Sequence, residues 1–138
     1  MKISARVENS FANHSVTLLA DGHEHTLVIS PRTDGFGSSV NGGELLFLAL
    51  ATCNCNDLYC EARKRNIELK SVRVEVNGEF GKEGEAAKKI SYSAAIEGSA
   101  PTSDLLDLLR VTDSVAEIQN TLRSSVPVAL EHCEAITV

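Results

Sequence analysis

Three cysteines stand within eight positions of one long apolar run, GGELLFLALATCNCNDLYCEARKRN, which covers residues 42–66. Cys53, Cys55 and Cys60 could form a reactive thiol site, bind a metal ion, or serve as small apolar residues of a core. A fourth cysteine, Cys133, comes much later in the sequence. The choice between these roles depends on where the surrounding element places each sulfur.

The run is predicted to be a single helix, because nothing between Asn41 and Asn66 breaks it. Asn41 suits the N-cap, and Glu44 follows at N3, close to the positive end of the helix dipole. At about 100° per residue, one side of the helix carries Leu46, Ala49, Leu50, Cys53, Asn56, Asp57 and Cys60. The opposite side carries Phe47, Leu48, Ala51, Cys55, Leu58 and Ala62. Both sides are largely apolar, so the helix is expected to be buried nearly all round.

The two sides give the cysteines different roles. Cys55 lies on the apolar side and is predicted to be a core residue. Cys53 shares the other side with polar residues, which must be hydrogen-bonded or line a pocket when they are buried. Cys53 is therefore the candidate catalytic thiol, although a plain packing role for it stays open. The side chains predicted to line the pocket are Glu44, Asn56, Asp57 and Cys60.

A metal site is less well supported than a thiol site. Cys53 and Cys55 point roughly 160° apart on a helix, and the CxxC spacing that zinc sites favour is absent. We therefore expect neither a metal ion nor another cofactor. Asp57, one turn after Cys53, should raise the thiol pKa, whereas a reactive thiolate needs a nearby cation. Arg6 and Arg32 are possible cations that the sequence alone does not place.

Composition narrows the class of protein. The 138 residues are expected to form one domain, residues 1–138. A net charge of -6, a pI near 5.2 and 4% aromatic residues without Trp argue against nucleic acid as a partner. The first residues lack the apolar segment of a signal peptide, and the longest apolar run, residues 45–51, is too short to span a membrane. We expect a cytoplasmic protein, in which cysteines remain thiols.

The remaining elements are predicted from periodicity and turn signals. Residues 2–8 alternate as a strand, Asp21-Gly22 is a hairpin turn, and residues 31–43 form a long Gly- and Ser-rich loop. Further predicted elements are strands 71–80 and 89–97 around a solvated loop, helices 102–111 and 114–122, and a final strand within residues 125–138. Thr102 or Ser103 is expected to cap the first short helix, and Ser114 with Glu117 the second. Strands that cluster in this way predict an α+β fold with antiparallel sheets.

This element order, together with the cysteine-bearing helix and the following VRVEVNGEF, resembles the OsmC/Ohr family over nearly the whole chain. Members carry a cysteine in the long central helix, and Cys53 follows Glu44 at the family's spacing. Asp57 is similar to an Asp found in one branch of OsmC-like proteins. The resemblance implies an OsmC-like fold, with antiparallel sheets around a long buried central helix. It also implies an intertwined homodimer with pockets at the subunit interface.

The resemblance further implies an activity: thiol-dependent reduction of small apolar organic hydroperoxides in oxidative-stress defence. In that reaction the helix cysteine, here Cys53, attacks the peroxide. A second cysteine then closes a disulfide, and an Arg and a Glu assist.

The sequence departs from the family at each assisting position. Ala116 stands where the second cysteine belongs, Gly43 stands at the position of the assisting Glu, and the N-terminal segment ENSFANHSV contains no Arg. Cys133 comes later and is not equivalent to the second cysteine. Two functions therefore stay open: a thiol peroxidase, and a non-catalytic protein that binds a small apolar ligand in the dimer pocket.

Overall fold

The computed structural model describes residues 1–135, which separate into two compact units, Met1–Leu46 and the chain from Phe47 onward. The strands are β1 (Ile3–Ser10), β2 (Asn13–Ala20), β3 (His23–Thr26), β4 (Leu69–Glu79) and β5 (Lys88–Gly98). The helices are α1 (Gly42–Lys64), α2 (Thr102–Val115) and α3 (Glu117–Arg123). All strand pairs are antiparallel, so the predicted α+β class with antiparallel sheets is confirmed.

The first unit is a three-stranded sheet in the order β1-β2-β3. Asp21 and Gly22 connect β2 to β3 with positive φ angles of 47° and 84°. Positive φ at both central residues is the conformation of a tight two-residue hairpin turn, which Asp-Gly favours. The predicted hairpin is therefore confirmed, with a short second strand that ends at Thr26.

The long glycine-rich loop folds back onto the turn between β1 and β2. The Ala12 N–H donates to the Gly35 carbonyl oxygen at 2.6 Å, and the Gly37 N–H donates to Asn9 Oδ1 at 3.1 Å. Gly35 has a φ of +89°, and a Cβ there would lie 2.5 Å from Cε2 of Phe11. The positive φ favours glycine at this position, and the two backbone hydrogen bonds give this part of the loop a defined conformation.

Helix α1 begins with a reciprocal cap. The Glu44 N–H donates to Asn41 Oδ1 at 3.0 Å, and the Asn41 N–H donates to Glu44 Oε2 at 2.8 Å. These two bonds satisfy donors that a helix start otherwise leaves unpaired, and they confirm the predicted N-cap. Within residues 1–135, no helix is long and apolar enough to cross a bilayer.

In the second unit, α1 and α2 pack on the antiparallel β4–β5 pair. Leu58, Ala62 and Leu108 are almost completely buried and form the centre of the core. The partly buried side chains that pack against this centre are Ile67, Leu69, Val72, Val74, Ala94, Ile96 and Leu109. Alternate residues of both strands thus face the helices, as a half-buried sheet requires.

The expectation that α1 is buried nearly all round is wrong for the single chain. The buried positions are Leu50, Asn54, Leu58 and Ala62, which recur every four residues along one stripe. Leu48 is 56% exposed and Tyr59 is 41% exposed. The physical reason is that the other elements of one chain cover only one side of this long helix.

The predicted final strand is wrong over the described residues. Residues 126–135 have no regular structure, because they pair with no strand edge in the described part of the chain. Pro127 also lacks the N–H that a ladder needs. The last three residues of that prediction, 136–138, lie outside the described residues.

The predicted caps of the two short helices are also wrong. α2 follows Pro101 and α3 follows Ala116, and neither helix has a side-chain cap. Ser114 instead donates its hydroxyl to the Val111 carbonyl oxygen at 2.7 Å. Because α2 continues to Val115, Ser114 lies inside that helix and is not available as a cap for α3.

Candidate functional site

Cys53 lies half-buried on α1, between a carboxylate and the first residues of α3. Its thiol donates a hydrogen bond to Oδ2 of Asp57, one turn further along the helix, at a distance of 3.3 Å. On the α3 side, hydrogen bonding from the backbone of Ile118 and Glu117 lowers the pKa of the thiol. The sulfur therefore has both an acceptor for its proton and donors for a negative charge.

These neighbours act on the thiol pKa in opposite directions. Burial raises the pKa of Cys53 most strongly, because it disfavours the charged thiolate. The Ile118 N–H lowers the pKa, since it stabilises the thiolate, while the carboxylate of Asp57 raises it by accepting the S–H bond and repelling negative charge. The net effect is a raised pKa, so at neutral pH the thiol is predominantly protonated. The predicted influence of Asp57 on the pKa is confirmed in direction.

The segment beside the sulfur is the one in which the family resemblance expects a second cysteine. Ala116 is completely buried and separates α2 from α3. The two residues after it, Glu117 and Ile118, provide the backbone donors near Cys53. Position 116 therefore directly precedes the backbone that acts on the Cys53 thiol, and its side chain in this chain is a methyl group.

The predicted pocket residues do not all gather around Cys53. Asp57 contacts the thiol, whereas Asn56 and Cys60 are exposed. The Glu44 carboxylate is engaged in the cap of α1, in the first unit. Cys55, predicted as a core residue, is only partly buried.

Two buried amides were missed in the sequence. Asn54 is 2% exposed and Gln119 is 4% exposed, and Gln119 Nε2 donates to the Leu50 carbonyl oxygen at 3.0 Å. Asn54 Oδ1 and Gln119 Oε1 are buried without a hydrogen-bond partner among residues 1–135. A signal was present for Asn54, because it lies four residues from both Leu50 and Leu58 and so shares their helix face.

A cleft of about 340 Å³ opens next to Gln119 in the second unit. Its wall consists chiefly of Leu50, Ile90, Tyr92, Gln119, Leu122 and Arg123. The Tyr92 hydroxyl donates to Asp113, and Arg123 donates to the same carboxylate at 2.6 Å. Burial, followed by the hydrogen bond to Asp113, raises the pKa of Tyr92 to about 12, so this phenol is neutral under physiological conditions.

Several solved structures share the fold. The chain is similar to an OsmC-like protein from Mycoplasma pneumoniae at 20% identity, with 88% of this chain and 86% of that one covered and a TM-score of 0.58. It is also similar to an OsmC-like protein of unknown function from Vibrio cholerae at 18% identity. That match covers 88% of this chain and 93% of the other, with a TM-score of 0.57. A third similar structure is that of an organic hydroperoxide resistance protein OsmC from Legionella pneumophila, at 21% identity. That match covers 89% of this chain and 90% of the other, with a TM-score of 0.51. At these identities the likeness establishes the fold alone.

No curated protein matches the sequence. The family model described as OsmC-like protein matches residues 35–131, well over half of the chain. That range includes α1 with Cys53 and Asp57, the β4–β5 pair, and both short helices. The chain therefore belongs to the OsmC-like protein family.

Proposed function

We propose that the protein reduces organic hydroperoxides through a single cysteine, Cys53. The sulfur attacks the terminal peroxide oxygen, so the O–O bond breaks and an S–O bond forms. Cys53–SH and ROOH thus become Cys53–SOH and ROH, with the sulfur oxidised by two electrons and the peroxide reduced by two. In the resting state the thiol proton is on the sulfur and is hydrogen-bonded to Asp57. During the reaction this proton is transferred to the leaving alkoxide.

The observation that carries this proposal is the position of Cys53 between the Asp57 carboxylate and the α3 backbone. The N–H groups of Glu117 and Ile118 stabilise the thiolate when it forms, and the thiol is only half-buried, so a small molecule can reach it. The substrate class comes from relatives: the similar Legionella pneumophila protein is named an organic hydroperoxide resistance protein. Because the resting thiol is protonated, we expect the reaction to be slow.

Regeneration then depends on an external thiol. Cys60 lies two turns along the same helix from Cys53, roughly 10 Å by helix rise, which exceeds the reach of a disulfide, about 7 Å between Cα atoms. The sulfenic acid therefore condenses with a small monothiol to a mixed disulfide and water. A second monothiol releases Cys53–SH and the oxidised small disulfide.

The test is to treat the protein with one equivalent of cumene hydroperoxide and to map its cysteines by non-reducing peptide mass spectrometry. We expect Cys53 as sulfenic acid, trapped by dimedone, and sulfinic acid under excess peroxide. Turnover is compared with monothiol and dithiol reductants, and Cys53→Ser is the control that must abolish it. A rapid, stoichiometric disulfide between Cys53 and Cys133 would contradict the single-cysteine reaction.

A second function, binding without catalysis, is favoured by the raised pKa of Cys53 and by the preformed cleft beside Gln119. It predicts that a small apolar ligand binds equally well to the wild type and to Cys53→Ser, and that neither turns over peroxide. The mass-spectrometric experiment decides between the two functions, because a pure binding protein leaves Cys53 reduced.

A further inference from the structure

We infer that the cleft beside Gln119 is a binding site for a small, neutral, largely apolar molecule that carries a hydrogen-bond donor such as a hydroxyl group. The inference deepens the second of the two functions above, on which it rests, by naming the class of ligand, and it does not depend on the chemistry of Cys53. It rests on which polar groups of the cleft wall already have partners and which one does not.

The apolar part of the wall selects an apolar ligand body. Leu50, Ile90 and Leu122 line the cleft, and its volume of about 340 Å³ is near the lower end of the range for small-molecule sites. A molecule with a short alkyl chain or one ring would replace water at this surface, which is favourable in proportion to the apolar area covered.

The charged part of the wall is already neutralised. Arg123 donates to the Asp113 carboxylate at 2.6 Å, to the Asp113 carbonyl oxygen at 3.1 Å and to Asn120 Oδ1 at 3.0 Å. Tyr92 donates its hydroxyl to the same carboxylate. The cleft therefore offers an anionic ligand no unpaired cation, and desolvating such a ligand would not be compensated.

The remaining polar group of the wall is an acceptor without a donor. Gln119 Nε2 is fixed by its bond to the Leu50 carbonyl oxygen, which settles the orientation of the amide, since the reverse orientation would set two acceptors against each other. Gln119 Oε1 is buried and has no partner among the described residues. An unpaired buried acceptor costs roughly 1–3 kcal/mol, and a ligand donor would remove that cost.

The oxygen lies beneath the surface of the cleft, so a ligand must displace a side chain to reach it. Leu122 lines the cleft and is 40% exposed, so it can move without opening the core. A ligand with a donor gains the bond to Gln119 Oε1 after this movement. A ligand of the same size without a donor gains only the apolar contact.

The experiment compares three probes on the full chain: 1-hexanol, its isomer methyl pentyl ether, and hexanoate. Dissociation constants come from ¹H–¹⁵N NMR titration, followed at the side-chain amide of Gln119, the single glutamine of the sequence. We expect 1-hexanol to bind about five- to tenfold more tightly than the ether, the effect of one net hydrogen bond, and hexanoate to bind most weakly.

Two variants separate the hydrogen bond from the apolar contact. In Gln119→Met, which keeps the length of the side chain, the preference for hexanol over the ether should fall to about one. In Leu122→Ala both neutral probes lose the apolar contact with this side chain, while hexanol no longer has to displace it. The preference for hexanol should therefore be kept or should increase. Equal affinity of the wild type for hexanol and the ether, or tighter binding of hexanoate, would overturn the inference. The wild-type comparison decides even if Gln119→Met does not fold.

The experiments distinguish an error in the cleft inference from an error in the proposed peroxide reduction by Cys53. Cys53→Ser abolishes peroxide reduction but should retain the preference of the cleft for hexanol. If the preference is absent in both proteins while Cys53 is still oxidised by cumene hydroperoxide, the cleft inference is wrong and the thiol chemistry stands.

Discussion

At the residue scale, Asp57 is one of the groups that limit how much thiolate Cys53 forms. The carboxylate accepts the thiol proton's hydrogen bond and repels the thiolate, both of which raise the thiol pKa. Asp57→Asn removes the negative charge, so the pKa of Cys53 should fall and the rise of the alkylation rate with pH should move to lower pH. Iodoacetamide labelling of Cys53, resolved by peptide mass spectrometry at several pH values, measures this shift.

The matched control is Asp107→Asn, which removes a carboxylate from α2 that is paired with Arg65 and does not act on Cys53. Its alkylation profile at Cys53 should coincide with that of the wild type. If the pH midpoint of Cys53 alkylation is unchanged or higher in Asp57→Asn, Asp57 does not raise the thiol pKa.

Position 116 decides whether oxidised Cys53 can form an internal disulfide. Ala116 directly precedes the two residues whose backbone lowers the pKa of Cys53, so we expect a cysteine there to lie within disulfide reach. Ala116→Cys, treated with one equivalent of cumene hydroperoxide, should give a disulfide between Cys53 and the new thiol and faster turnover with dithiol reductants. Non-reducing peptide mass spectrometry identifies the bond.

The control for this variant is Ala62→Cys, the same substitution at another buried position. Ala62 lies nine residues further along α1, about 13 Å from Cys53 by helix rise, which is out of disulfide reach. It should leave Cys53 as the sulfenic acid. If Ala116→Cys also stops at sulfenic acid although it is folded, α3 does not approach Cys53 as described.

At the element scale, the start of α1 depends on the reciprocal cap between Asn41 and Glu44. Asn41→Ala removes the acceptor for the Glu44 N–H and should lower the free energy of unfolding by about 1 kcal/mol. Urea denaturation followed by circular dichroism measures the change. Asn56→Ala is the control: Asn56 is exposed in the same helix, where Ala is the better helix former, so this variant should be as stable as the wild type or more so. Equal stability of Asn41→Ala and the wild type would argue against the cap.

How well each element could be predicted depended on how local its signal is. The Asp21-Gly22 turn and the N-cap at Asn41 are specified by a few consecutive residues, and both were predicted correctly. The final strand could not be settled from sequence, because a strand exists only where another strand offers an edge. The same distinction applies to the site. Asp57 is one helical turn from Cys53 and could be predicted from the helix pattern. The α3 backbone could not, because it comes from a segment more than sixty residues away in the sequence.

At the scale of the whole molecule, the single chain leaves much apolar surface exposed. On β1, Ile3 is 67% and Val7 is 59% exposed, and on α1 Leu48 is 56% exposed. Isolated exposed apolar residues are ordinary, but several on one element indicate a surface that associates. The resemblance to the OsmC/Ohr family implied a homodimer, and this exposed surface supports the same proposal.

We therefore predict an obligate homodimer with twice the chain mass of 14.8 kDa. Because burial of apolar surface between subunits would supply part of the folding free energy, dissociation and unfolding should be coupled. Sedimentation velocity at low micromolar concentration should give the dimer mass, and the midpoint of urea unfolding should rise with protein concentration.

Two variants test which surface associates. Leu48→Glu places a charge on the exposed side of α1 and should weaken the dimer. Lys70→Glu, at an 85% exposed side chain of β4, should leave the dimer intact. A monomeric mass with a concentration-independent midpoint would contradict the dimer, since the exposed apolar surface would then be stable in water without a partner.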